Sequence, residues 1–293
     1  MDVELFRGTE IAADTAAEIL KSVSIPTCPA VTVALMEEAR REEVDFVRIN
    51  RLISGDVSLA AAMIKTANSP FFALRTKART VQQAVAVLGL KNIISIVTGL
   101  SLQQALSPKG ISMERFWDRS NYHAAVSARL ARRRRGIAAD DAYTFGLFHD
   151  CGIPILMQRF PDYKDTLAQA NKSARPVLKV ENERHGTDHA VVGAMLARNW
   201  QLPPLVVDAI RVHHDLENLH TAAVTASEPV HCLVAIALLA DHLIARFLDV
   251  ADDAEWQSHG ALAIDFLELD ADDVADLHDE IGDELMEIQA TRG

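Results

Sequence analysis

The chain has 293 residues, enough for one large or two modest domains, with 49% hydrophobic and 24% charged residues, as in a water-exposed globular protein. A formal net charge of −12 argues against broad electrostatic binding to nucleic acid or to an anionic membrane. Three cysteines with no paired spacing exclude a disulfide framework and a zinc ribbon, and few aromatic residues beside abundant alanine favour helices over sheets.

The start, Met1-Asp2-Val3-Glu4, has neither a basic stretch nor a long apolar run, so no signal peptide is expected. Pro26 and Pro29 bracket a short extended segment, and a helix is predicted over about 30–40. Ser54-Gly55-Asp56 can cap a helix over Val57–Ala67, whose Leu59, Met63 and Ile64 recur at helical steps. Thr80 starts another, with Val81, Ala84, Val85 and Leu88 on one side and Gly89 as its end, and 91–106 reads as a further helix. No stretch alternates cleanly over six residues, so the expected fold class is all-α. Ser107-Pro108-Lys109-Gly110 carries turn chemistry and marks a boundary. The expected organisation is an N-terminal helical bundle over 1–108, a histidine-bearing core over 109–248 and an acidic helical tail over 249–293. A polar loop over 218–229 is a second break. The basic run from Arg132 to Arg135 reads as a solvated helix end, where cations suit the macrodipole. In the tail, Leu262, Phe266, Val274, Leu277, Ile281 and Leu285 keep helical spacing, as one or two packed surface helices would. The longest unbroken apolar stretch, from Cys232 to Ala240, is too short to span a bilayer. A reducing, cytoplasmic setting follows as the simplest expectation.

Against this apolar background, histidines and aspartates stand at inward-facing positions. Over 116–132, His123 shares a face with Phe116, Ser120, Ala124 and Ser127. Alone it reads as a core histidine bonded to a carbonyl. Asp140-Asp141 opens the next helix, in which Phe145 and His149 share a face and Asp150 lies about 100° round. Thr187 or Asp188 can cap a helix whose stripe is His189, Val192, Gly193, Leu196 and Trp200. His185 precedes that cap, as a loop residue or an outer donor. Pro203-Pro204 starts a helix with Val206, Ala209, Ile210 and His213 inward and His214 beside them, either as ligands or as a cationic cap. On the apolar stretch before Leu248, Asp241 follows Leu233, Val234, Ala237 and Leu238, and His242 falls on the flank. A carboxylate on such a face needs a cation or several donors. Each signal alone is weak, but burying so many ligands separately is costly, so one shared site is favoured.

The order His123, His149-Asp150, His189, His213-His214, Asp241 resembles the ligand set of the HD superfamily of metal-dependent phosphohydrolases. The wider text is similar to the HDOD branch. Its signatures correspond to Ile25-Pro26-Thr27-Cys28-Pro29, Ala67-Asn68-Ser69-Pro70-Phe71-Phe72, Thr80-Val81-Gln82-Gln83-Ala84, Leu88-Gly89, Phe116-Trp117, Gly146-Leu147-Phe148-His149-Asp150, Gly186-Thr187-Asp188-His189 and Trp200-Gln201-Leu202-Pro203. The resemblance spans about residues 20–245. It implies an N-terminal bundle packed on an HD-type helical core, and a bacterial signalling or regulatory role. It implies one or two divalent ions, of iron, manganese, nickel or zinc, held by His123, His149, Asp150, His189, His213, His214 and Asp241. In an active relative, Asp150 would bridge the metals and His213 and His214 would position phosphate.

Three positions depart from active relatives. Ile153 replaces a phosphate-steadying lysine after the His-Asp pair. Asp215-Leu216-Glu217-Asn218 stands where a Gly-Tyr-Pro segment would follow the His pair. Arg119 occupies a position where trinuclear relatives place a carboxylate. The expectation is therefore a weakly catalytic or non-catalytic regulatory module that meets a signalling protein or a nucleotide ligand and binds no nucleic acid or membrane. The alternative is a phosphohydrolase acting on a nucleotide or cyclic dinucleotide, and a third reading makes the polar set a vestige that only holds the core. No receiver or output domain accompanies the module, so its signal is expected from another chain or a small molecule.

Overall fold

Short polar side chains start several of the helices. In the computed structural model, which describes residues 25–69, 72, 74–107, 112–134, 136–173, 175–219, 227–251 and 254–290, α1 (Ala30–Ala39) follows the extended Pro26–Pro29 segment. Asp45 caps α2 (Phe46–Ser54), Asp56 caps α3 (Val57–Ala67) and Thr80 caps α4 (Val81–Ala105). Each accepts a backbone N–H from three residues on, at 2.9, 2.9 and 3.1 Å. The two helices read from the sequence around Gly89 form one element, broken at Gly89, whose φ of 76° leaves the helical path. Then follow α5 (Glu114–Ala131), α6 (Ala139–Phe148), α7 (Gly152–Arg159), α8 (Tyr163–Ser173) and α9 (Val177–His185). Asp188 caps α10 (His189–Asn199), and Pro203 precedes α11 (Pro204–Val212). A 3-10 turn (Leu216–Asn218) and α12 (Glu228–Phe247) lead to two tail helices, α13 (Ala254–Phe266) and α14 (Ala271–Ala290). The described residues contain no strand, and the fold is all-α. Residues 108–111 of the expected boundary, 220–226 of the expected loop, the chain start before 25, Pro70, Phe71 and Arg135 lie outside the described residues.

Two apolar clusters form the interior. One joins Leu35, Ile49, Ile53, Met63, Val85 and Val97. The other joins Phe145, Phe148, Trp200, Leu233, Leu239 and the tail residues Leu277, Ile281 and Leu285. Helix α4 serves both, with Ile93 and Val97 in the first and Leu102 in the second. Buried hydroxyl pairs cross the seam, Thr32 with Ser101 at 2.8 Å and Ser95 with Thr144 at 3.0 Å. Helices α4 and α12 are long and apolar enough to cross a membrane, a length that the unbroken Cys232–Ala240 run understates. Their apolar faces pack inward, with 78% of the α12 window buried.

Two glycines set the approach of the helices that matter most below. A Cβ on Gly146 would stand 2.8 Å from the His123 carbonyl oxygen, and one on Gly152 would stand 2.1 Å from that of His189. The backbones of α6 and α7 therefore lie directly against α5 and α10. The basic run ends α5 with Arg132 and Arg133 exposed, as expected of a solvated helix end, and it is also ion-paired. Arg133 meets Glu280 at 2.6 Å, Arg134 meets Glu268 at 3.0 Å, and Arg129 on the same helix meets Glu280 at 3.0 Å. The acidic tail folds back and takes up those cations.

Gly152→Ala is expected to cost about 1–3 kcal/mol through overpacking against backbone. Gly282→Ala, in the middle of α14 with nothing within 4 Å of its Cβ, is expected to be neutral or to gain up to about 1 kcal/mol. Denaturant midpoints of the two variants check both. Glu38 is buried and takes the Asp45 N–H at 2.9 Å with Arg48 at 3.1 Å. That N–H, aided by Arg41 and Arg48 against opposing burial, lowers its pKa. Its stabilisation is therefore present above the ordinary glutamate value of about 4.3 and fades as pH falls through the lowered folded value. Glu38→Gln is expected to be less stable than wild type at neutral pH, with the gap closing in acid; a gap constant with pH would refute this.

Candidate metal centre

The structure brings the seven histidines and aspartates singled out in the sequence into two adjoining groups. His123, in the middle of α5, meets His149, which ends α6, and Asp241 of α12. Asp150, in the turn before α7, meets His189 at the start of α10 and His213 and His214 just past α11. Within each group, one ligand atom from every residue lies within 4.8 Å of the others. Asp150 faces both groups. Its Oδ2 is 3.3 Å from His149 Nε2, while its Oδ1 is 3.4 Å from His189 Nε2 and 3.7 Å from His213 Nε2.

The rings are held from behind. His149 Nδ1 donates to the Gly146 carbonyl and His213 Nδ1 to that of Ile210, both at 2.8 Å. A carbonyl only accepts, so these rings carry the proton on Nδ1 and, when neutral, a lone pair on Nε2. Carboxylates hold two more, Glu181 at 2.8 Å from His189 Nδ1 and Glu255 at 2.7 Å from His214 Nδ1. His123 Nδ1 pairs with Ser127 Oγ at 3.1 Å, and its buried Nε2 has no hydrogen-bond partner, with Asp241 Oδ2 at 3.8 Å. His189 Nε2 stands 3.1 Å from His214 Nε2 and 3.4 Å from His213 Nε2. Lone pairs crowded at these distances repel one another unless a proton or cation sits among them.

Charge follows the same plan. Burial, with the neighbouring His214, pushes the His213 pKa down to about 3, so that ring is neutral. Burial and His149 likewise lower His123. For His189, burial works downward but Glu181 and Asp150 override it, pushing the pKa up to about 9. Burial would raise both aspartates, yet His149, His213 and His189 together outweigh it at Asp150, and Arg119, His123 and His149 together at Asp241, so both carboxyls stay well below the usual range. The donor set is thus imidazole nitrogen with ionised carboxylate oxygen, which suits iron, manganese, nickel or zinc. The partnerless Nε2 of His123 and the facing Nε2 atoms of the second group fit such ions.

The flanking residues differ from the sequence reading. His185 is the last residue of α9 rather than a loop residue, bonded to Thr166 at 2.8 Å and stacked on Phe160. The outer acceptor for His189 is Glu181 of the same helix, fully buried, which also accepts the His189 N–H at 3.0 Å and the Tyr163 hydroxyl. His242 is buried rather than on a flank, stacked on Trp256 at 3.9 Å. Neither Glu181 nor Glu255 carries a sequence signal, since nothing in the residues around either distinguishes it from a solvent-facing acid. Arg119 donates to Asp241 Oδ1 at 2.8 Å, Ile153 packs on the apolar core, and Leu216 anchors the 3-10 turn after the His pair.

The sequence pattern of the HDOD domain matches residues 25–216. The chain belongs to the HDOD family. An uncharacterised protein of Treponema pallidum (strain Nichols) is 28% identical over 252 residues, covering 83% of this HDOD chain and 47% of that protein, so the chain spans about half the length of this curated relative. Among solved structures, a candidate phosphohydrolase of Shewanella amazonensis SB2B is similar at 22% identity, over 95% of this chain and 98% of that one, with a TM-score of 0.73. An HDOD domain protein of unknown function from Geobacter sulfurreducens follows at 21% identity, 94% and 95% coverage and a TM-score of 0.71. A candidate signal-transduction protein of Marinobacter aquaeolei VT8 matches at 24% identity over 95% of this chain and 60% of that one, with a TM-score of 0.68. These likenesses establish an HDOD-type helical fold.

Glu181→Gln keeps the shape of the outer acceptor and removes its charge. It is expected to weaken metal binding about 10- to 100-fold, read by competition with a chromophoric chelator. Unchanged affinity would show that Glu181 serves only the core.

Proposed function

We propose that this HDOD chain is a metal-loaded regulatory module of a signalling system, with weak or no turnover of phosphate esters. The supporting observation is the position of Asp150, one carboxylate oxygen toward each group of Nε2 atoms. His123, His149, Asp150 and Asp241 would hold one ion, and Asp150, His189, His213 and His214 a second. Divalent ions there supply Lewis-acid polarisation of a phosphoryl oxygen and offset its charge. Asp150, Asp241 and His214 are the partly exposed members, with side chains 24%, 27% and 17% accessible, so a nucleotide phosphate or a partner's acidic group would approach along that edge.

The chain's own residues favour recognition over turnover. At 153 an isoleucine packs into the core and offers no charge to a phosphate. Arg119 is committed to Asp241. The turn after His213-His214 is fixed by the buried Leu216. The second reading, hydrolysis of a nucleotide or cyclic dinucleotide, draws on the completeness of the ligand set, with Asp150 bridging and His213 and His214 positioning phosphate.

Protein purified without affinity-metal exposure is expected to carry one or two equivalents of iron, manganese, nickel or zinc by elemental analysis, and a chelator is expected to lower its melting temperature. Metal-loaded protein is expected to turn over cyclic dinucleotides and nucleoside monophosphates far below the ordinary enzyme median of about 10 per second. Ordinary rates that vanish in a folded Asp150→Ala variant would replace the regulatory reading with the hydrolytic one. Metal-free protein that is indifferent to chelator would reduce the ligand set to a vestige of the core.

A further inference from the structure

The tail reaches the site. Glu255 lies in the first turn of α13, beyond the matched HDOD region, and both its oxygens approach His214 Nδ1, at 2.7 and 2.9 Å. The next residue, Trp256, lies flat on His242 at 3.9 Å and 8°, one position from Asp241 on α12. The first turn of α13 therefore touches a ligand of the second group, His214, and the chain neighbour of a ligand of the first, His242. Behind it, Arg129 and Arg133 hold Glu280, and Leu277, Ile281 and Leu285 are buried against the main core.

A carboxylate on the far nitrogen of an imidazole fixes the ring's orientation and raises the basicity of the nitrogen that faces a metal. His149 and His213 receive this service from carbonyls of their own chain segments, three residues back. His214 receives it from a separate helix, 41 residues further on. We propose that Glu255 is a positioning residue of the second metal group, and that docking of α13 and metal occupancy are thermodynamically coupled. By reciprocity, an ion at that group strengthens docking of the helix, and a loosened helix weakens the ion. The inference rests on the metal reading above and goes beyond it by making α13 the element that senses or sets occupancy.

The test uses the full chain and manganese(II) alone. Binding is followed by electron paramagnetic resonance, and hydrogen exchange is measured with and without the ion. In wild type, manganese is expected to slow exchange across 254–266. In Glu255→Gln, one equivalent is expected to bind about 10- to 100-fold more weakly while the other is unchanged, and the slowing across 254–266 is expected to disappear. The exchange comparison in wild type needs no variant and stands if the variant folds poorly. A Glu255→Gln isotherm that superimposes on that of wild type, or wild-type exchange in 254–266 that ignores manganese, overturns the coupling and leaves the metal reading intact. Wild type that binds no manganese, iron, nickel or zinc removes the metal reading, and this inference with it.

Discussion

Five imidazoles turn their Nε2 atoms toward two ionised carboxylates in the interior of a helical protein, and each is kept from turning away by a partner at Nδ1. That constraint organises the rest of the molecule. In a metal-free chain the nitrogens facing one another at 3.1 and 3.4 Å are eased by a proton on His189, whose pKa burial lowers but Glu181 and Asp150 raise to about 9. A divalent ion would replace that proton and turn the same crowding into coordination, since the rings already point inward and little side-chain freedom remains to be lost.

Bringing the ligands together depends on backbone proximity more than on side-chain reach. His149 and Asp150 occupy the short turn between α6 and α7, and the helices on either side of that turn lie against neighbours through Gly146 and Gly152. Those two contacts set His149 beside His123 and Asp150 beside His189. The longer α12 then carries Asp241 to the first group, surrounded by leucine, isoleucine and alanine. Among the described residues, helices α1 to α4 contribute no ligand to either group. Helix α4 joins the two apolar clusters, with Val85, Ile93 and Val97 in the first and Leu102 in the second.

The metal centre also has an unequal outer shell. Carbonyl partners for His149 and His213 are inseparable from the helix ends that carry those rings. Carboxylate partners for His189 and His214 come from α9 and α13. One of these is fully buried and tied to Tyr163, whereas Glu255 is partly exposed at the start of the first tail helix. In a regulatory module, that is the side on which occupancy and conformation can influence each other.

The sequence by itself determined the helical class, most helix starts and the inward-facing ligand set, because caps and 3.6-residue periodicity are local properties written in neighbouring residues. Asp56, Thr80 and Asp188 cap where their spacing indicates, and His123 and His189 fall on the buried faces that their stripes define. The order of the ligands was enough to suggest one shared site. The packing of the helices is what divides them into two groups with Asp150 between them, sets Glu181 and Glu255 behind the rings, and pairs the partly exposed Arg129–Arg134 stretch with the acidic tail. His185 and His242 fell differently from their expected places for the same reason. Which helix lies across another is set by close backbone contacts and long-range burial, and an isolated glutamate looks identical whether it faces solvent or a histidine 41 residues away.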